Sequence, residues 1–112
     1  MRYAIPVSQG KLAAHFGHCE HFALFDVDEA TNTIVHRELV ASPGHQPGLL
    51  PVWLAEEGVT AVIAGGMGSR AQALFRENRI QVIVGALSDD PEQIVLTHLQ
   101  GTLATGENVC DH

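Results

Sequence analysis

Apolar and polar positions change rhythm along this chain, and each change marks a new kind of element. Arg2 to Val7 is a short apolar run that ends at Ser8-Gln9-Gly10-Lys11, which is turn chemistry, and it predicts a first strand. His15 to His21 is a polar, histidine-rich connector. Phe22 to Val27 and Thr33 to Val40 read as two further strands. Between them, Asp28-Glu29-Ala30-Thr31-Asn32 supplies the loop of a hairpin.

The rhythm then becomes helical. Ser42 to Gly48 is a loop rich in proline and glycine, and Leu49 to Glu57 predicts a helix with Leu49, Leu50, Trp53 and Leu54 on one face and Gly58 as its stop. Val59 to Ala64 is apolar without interruption, as a parallel strand covered on both faces should be. Gly65-Gly66-Met67-Gly68 turns the chain into a helix over Ser69 to Asn78, with Ala71, Leu74 and Phe75 inward. Ile80 to Val84 is expected to be another buried strand. Ser88-Asp89-Asp90-Pro91-Glu92 opens a last helix, with candidate caps, an early proline and acid at the positive dipole end. Ile94, Val95 and Leu99 give its core face, and Gly101 lies near its end. The order β-β-β-α-β-α-β-α predicts an α/β domain over residues 1–101, a mixed sheet of about five strands with helices packed on it. Residues 102–112 form a tail without a core period.

Composition narrows the partners. The 112 residues fit one domain, and 46% hydrophobic with 17% charged residues is a globular balance. The net charge is −7 and Lys11 is the only lysine, so neither nucleic acid nor an anionic membrane surface is an expected partner. No signal-like or membrane-spanning run is present, which predicts a cytoplasmic protein with two free thiols.

Two groups of side chains offer metal ligands. His15-Phe16-Gly17-His18-Cys19-Glu20-His21 places three imidazoles and a thiol in seven residues. Thiolate suits iron–sulfur clusters, copper(I) and zinc, whereas imidazole suits zinc, copper and iron. If the segment is extended, alternation puts Cys19 and His21 on one side and His18 on the other. Cys110-Asp111-His112 offers a second thiol and imidazole. Should the tail fold back, Cys19, Cys110, His112 and one connector histidine complete a four-ligand set. Standard cubane clusters use four cysteines, and two are present, which points to loosely held or shared cargo. A chain of this kind is expected as a monomer or weak homodimer.

Gly66-Met67-Gly68-Ser69-Arg70-Ala71 fits the G-x-G-x-x-A dinucleotide fingerprint between a strand and a helix. Too little chain flanks it for both a complete dinucleotide site and a substrate site. The loop from Gly65 through Arg70 is therefore read in two ways. It is a close helix–sheet junction, or it holds an anion on the amides of Gly65, Gly66, Met67 and Gly68 together with Arg70. His45 stands before the first helix as a further candidate. No nucleophile or carboxylate pair is placed for catalysis, so an enzyme is not expected.

Three motifs in order resemble the dinitrogenase iron-molybdenum cofactor biosynthesis family: His15-Phe16-Gly17 before a strand, Gly44-His45 ahead of Leu50-Pro51, and Ala64-Gly65-Gly66-Met67-Gly68 with Ala71. Gly106-Glu107-Asn108-Val109-Cys110-Asp111-His112 is similar to the end of a stand-alone, small-domain subgroup. The resemblance implies a ribonuclease H-like fold and a non-catalytic role in nitrogen fixation-like cofactor biosynthesis. It implies a transiently held iron/molybdenum-type metal–sulfur cluster, exchanged with donor or acceptor proteins. Two readings from other classes stand beside it: a regulatory module with a single zinc or iron ion, and a small-molecule or nucleotide sensor using the glycine loop.

Overall fold

The two rhythms of the sequence become the two halves of one sheet. In the computed structural model, which describes residues 1–16, 19–44, 48–103 and 105–106, the sheet runs in the order β4-β3-β1-β5-β6. Its strands are β1 (Arg2–Ser8), β3 (His21–Asp28), β4 (Thr33–Ala41), β5 (Ala61–Ile63) and β6 (Gln81–Ile83). β2 (Lys11–Leu12) folds back on β1 as a sixth strand. β1, β3 and β4 are antiparallel neighbours, with Tyr3 opposite Phe25 and Leu24 opposite Glu38. β5 is parallel to both β1 and β6. The predicted mixed α/β sheet is therefore present, with one short strand more than the pattern predicts.

Alternation along the strands feeds two cores. Ala4, Phe22, Leu24 and Val62 face one side, where Leu50 and Leu54 of α1 (Leu49–Glu56) and Phe75 of α2 (Ser69–Glu77) cover them. Tyr3, Ile5, Ala23, Phe25, Ala61 and Ile63 face the other, beneath Ile94 and Val95 of α3 (Pro91–Gln100). The α3 cap is one of the candidates its sequence offers: the Asp90 carboxylate accepts a hydrogen bond from the Glu92 N–H at 3.0 Å, and Pro91 follows the cap. Among the described residues no helix is long and apolar enough to cross a membrane.

Two expectations are corrected. The 80–84 segment is not a fully buried strand: Ile80 is buried, but Gln81 is exposed and Val82, Ile83 and Val84 are half-buried, because β6 ends the sheet. The connector is not a purely polar surface segment either. Phe16 enters the core, 5.3 Å from the Phe75 ring and 5.7 Å from the Phe22 ring, and Cys19 enters beside them.

Candidate functional site

The site lies at the carboxyl ends of β1 and β5. These strands are parallel neighbours, yet the chain leaves them in opposite directions across the sheet, toward β3 and β4 on one side and toward β6 on the other. Such a switch point leaves a crevice beyond the strand ends, where open α/β sheets take ligands.

Local conformation steers the chain into that crevice. Gln9 and Gly10 both take positive φ, 55° and 79°, which is the pairing a tight type I′ hairpin needs between β1 and β2. The Ala13 N–H then donates to the Pro6 carbonyl at 2.9 Å, turning the connector across the sheet end. There it meets the glycine loop: His15 bridges Gly66 in parallel, and the Phe16 N–H donates to the Gly66 carbonyl at 2.9 Å. A Cβ at Gly65 would sit 3.4 Å from the carbonyl oxygens of both Ala13 and Ala14. The connector backbone thus lies directly against the glycine loop at Gly65 and Gly66.

Two more segments join the same end. The Gly85 N–H donates to the Gly65 carbonyl at 2.7 Å, and the Gly106 N–H donates to the Gly85 carbonyl at 2.6 Å. Thr105 pairs antiparallel with Ala86. Gly85 has φ +81°, and a Cβ there would lie 2.2 Å from the Gly106 oxygen, so this junction admits only glycine. A cavity of about 240 Å³ opens among these segments, lined by Leu12, Ala14, Gly65, Ala86, Leu87 and Asp89. Connector, glycine loop, the Gly85 turn and the start of the tail therefore meet at one place.

The predicted ligand residues divide. His15 is exposed at this end, and Arg70 is exposed in the first turn of α2, after Gly68, its N-cap. Met67 is 1% exposed and packs in the core, while its carbonyl accepts from Gln72 Nε2 at 2.9 Å. His21 is half-buried at the start of β3, opposite Val7 and Ala41. Cys19 does not share its side. It lies in the core layer with Phe22 and Leu24, whereas the odd positions of β3 face the other core. The simple alternation fails because a bend intervenes at Glu20, whose N–H donates to the Val7 carbonyl and whose carbonyl accepts from the Ser42 N–H. His18, His45, Cys110 and His112 lie outside the described residues. Among the described residues, no group of three or more His, Cys, Asp or Glu side chains is gathered to hold a metal ion.

Cys19 is 1% exposed, and burial pushes its thiol up to about 11 from an ordinary 9.0, which a hydrogen bond with the Ser42 side chain offsets in part. A thiol whose folded value is raised stabilises the fold fully below pH 9.0 and loses that contribution as pH climbs toward about 11. Denaturant titrations of parent and Cys19→Ala should therefore converge in stability over that window, because only in the parent does unfolding release a buried neutral thiol that then ionises in water. A constant difference between the two from pH 8 to pH 11 would contradict the buried, neutral thiol.

Comparison with known proteins settles the lineage. The sequence model of the family described as dinitrogenase iron-molybdenum cofactor matches residues 1–101. The chain belongs to that family. It is 29% identical over 106 residues to the uncharacterized protein MJ0580 of Methanocaldococcus jannaschii, covering 92% of this chain and 89% of that one. Its fold superposes on the crystal structure of PH0822 with a TM-score of 0.87 at 25% identity, over 96% of both chains. It superposes on the apo form of the orange protein from Desulfovibrio gigas with a TM-score of 0.69 at 23% identity, over 96% of this chain and 93% of that one. Membership of the dinitrogenase iron-molybdenum cofactor family connects the chain with that cofactor.

Reading the sequence alone misses Gly85-Ala86 and Thr105-Gly106 as parts of this sheet end. One signal for the first was present: Gly85 follows the second parallel strand as Gly65 follows the first. The Thr105–Gly106 return is made by backbone groups and has no side-chain signature.

Proposed function

We propose that this chain binds a metal–sulfur cluster, iron-molybdenum or related, as cargo and passes it between donor and acceptor proteins in cofactor biosynthesis, without catalysing a reaction. The observation that carries this reading is the meeting of the histidine-bearing connector, the glycine loop and the base of the tail at the switch point of the sheet. Family membership supplies the class of cargo.

The chemistry of the donor set fits a carrier better than a permanent host. With Cys19 in the core, the thiolate falls to Cys110, and the step from Gly106 to Cys110 spans at most roughly 14 Å of extended chain. His15 and His18 of the connector and His112 of the tail add imidazoles, and His21 stands at the margin. Arg70, the loop amides and His45 supply positive charge or hydrogen bonds toward an anionic cluster. One thiolate supported by imidazoles supplies fewer of the soft sulfur bonds than the four thiolates of a standard cubane, so the cargo can leave.

Anaerobic reconstitution with iron, sulfide and molybdate, followed by metal and acid-labile sulfide analysis, tests the proposal. Protein-bound metal together with sulfide is the expected result. One metal ion per chain without sulfide would replace the cluster by a mononuclear site, and a colourless, metal-free protein would overturn both.

A further inference from the structure

The edge of the sheet farthest from the glycine loop carries a second, independent feature. We propose that β4 pairs antiparallel with β4 of a second copy of this chain, about a twofold axis at Arg37, so that two sheets become one.

β4 spans nine residues, the longest strand of the sheet, and stands at its end. Among the described residues it has β3 on one side and no strand on the other. A long edge presents unpaired N–H and C=O groups that template another strand. Two of the exposed large hydrophobics, Val35 and Leu39, lie on this strand, each 63% exposed.

The choice of a second copy rests on self-complementarity. Antiparallel pairing about Arg37 sets His36 opposite Glu38 and Val35 opposite Leu39, and the twofold repeats each pair. Opposed imidazole and carboxylate, and opposed aliphatic side chains, are favourable cross-strand pairs. Moving the axis by one residue to Glu38 would oppose Glu38 to itself and Arg37 to Leu39, losing both matches. Arg37 opposite Arg37 is the one like-charged pair at the proposed axis. Its guanidinium is ion-paired with Glu92 on α3, so it leans inward over the sheet and away from the free edge. The bulge between β3 and β4 at Asp26/Val27 passes over Val35, which has no partner on β3, and leaves His36 to Ala41 in unbroken register with β3. Because each copy uses the same edge, the interface is isologous and closes at two chains.

Sedimentation equilibrium of the full chain tests this. The expected result is a concentration-dependent rise from 12.0 kDa toward twice that mass. Glu38→Arg sets arginine against His36, His36→Glu sets two carboxylates together, and each should raise the dimer Kd by about tenfold or more. Mixing those two variants sets imidazole against carboxylate at one pair and guanidinium against carboxylate at the other, and should recover association as a heterodimer. Val35→Lys, at an exposed position, provides a weakened dimer without touching the charged pairs, and far-UV circular dichroism confirms that each variant is folded. A parent chain that stays monomeric to about 1 mM, as it would if the edge serves a different protein, overturns the proposal. So does association that none of the three substitutions alters.

Discussion

Cluster loading is expected to fall about 10- to 100-fold in Cys110→Ser and to persist in Cys19→Ala. The estimate for Cys110 follows from ligand chemistry: changing even an outer partner of a metal ligand costs 10- to 100-fold, and loss of the thiolate itself removes a direct bond. Serine keeps the size of the side chain and offers a harder, far less acidic donor that suits iron and molybdenum sulfides poorly. Cys19 behaves differently because it sits in the first core, among residues such as Phe16, Phe22 and Leu24. Its replacement by alanine should lower stability through lost packing, by about 1–2 kcal/mol, and leave cluster affinity close to that of the parent. Anaerobic titration followed by visible absorption reads both variants. The opposite ranking, with Cys19→Ala colourless and Cys110→Ser loaded, would move the site into the core and away from the sheet end.

Gly85→Ala tests the same assembly without touching a ligand. At φ +81°, alanine is strained by roughly 1–2 kcal/mol, and its Cβ would fall 2.2 Å from the Gly106 oxygen. A backbone atom at that distance cannot remain, so the Thr105–Gly106 segment must leave Ala86. Gly58→Ala is the matched control, with the same φ of +81° and open space around the added carbon. Both variants should lose comparable stability from strain in denaturant unfolding. Only Gly85→Ala should also lose hydrogen-exchange protection of the Gly106 amide and most of its cluster loading. Equal loading in the two variants would show that docking of the tail base is unnecessary for the cargo.

What the sequence made legible depended on side-chain periodicity. The hairpin of β3 and β4, the covered strand β5, the Asp90 cap and the stops at Gly58 and Gly101 all have local signatures, and the structure contains each of them. β2 has only two residues, too few to show a period. The apolarity of residues 80–84 reported burial against α2 but not position in the sheet, because an edge strand packed on a helix reads much like a central one. Cys19 moved into the core because a single bend at Glu20 cancels the alternation that would have paired it with His21. For the site, the connector and the glycine loop were each visible as compositional motifs. Their contact was not, since His15 and Gly66 are joined through backbone groups of residues distant in sequence. Fold thus came largely from local rules, whereas the site is a property of topology: the switch between β1 and β5 brings its parts together.

The location of the cargo is the centre of this account, and amide chemical-shift mapping measures it directly. Spectra of the chain before and after anaerobic loading with iron, sulfide and molybdate should differ most at Ala14 to Phe16, Gly65 to Gly68, Gly85 to Leu87 and Thr105-Gly106. Changes confined to α1, to β4 or to the far ends of the strands near Arg2 and Thr60, with that cluster of amides unmoved, would contradict it.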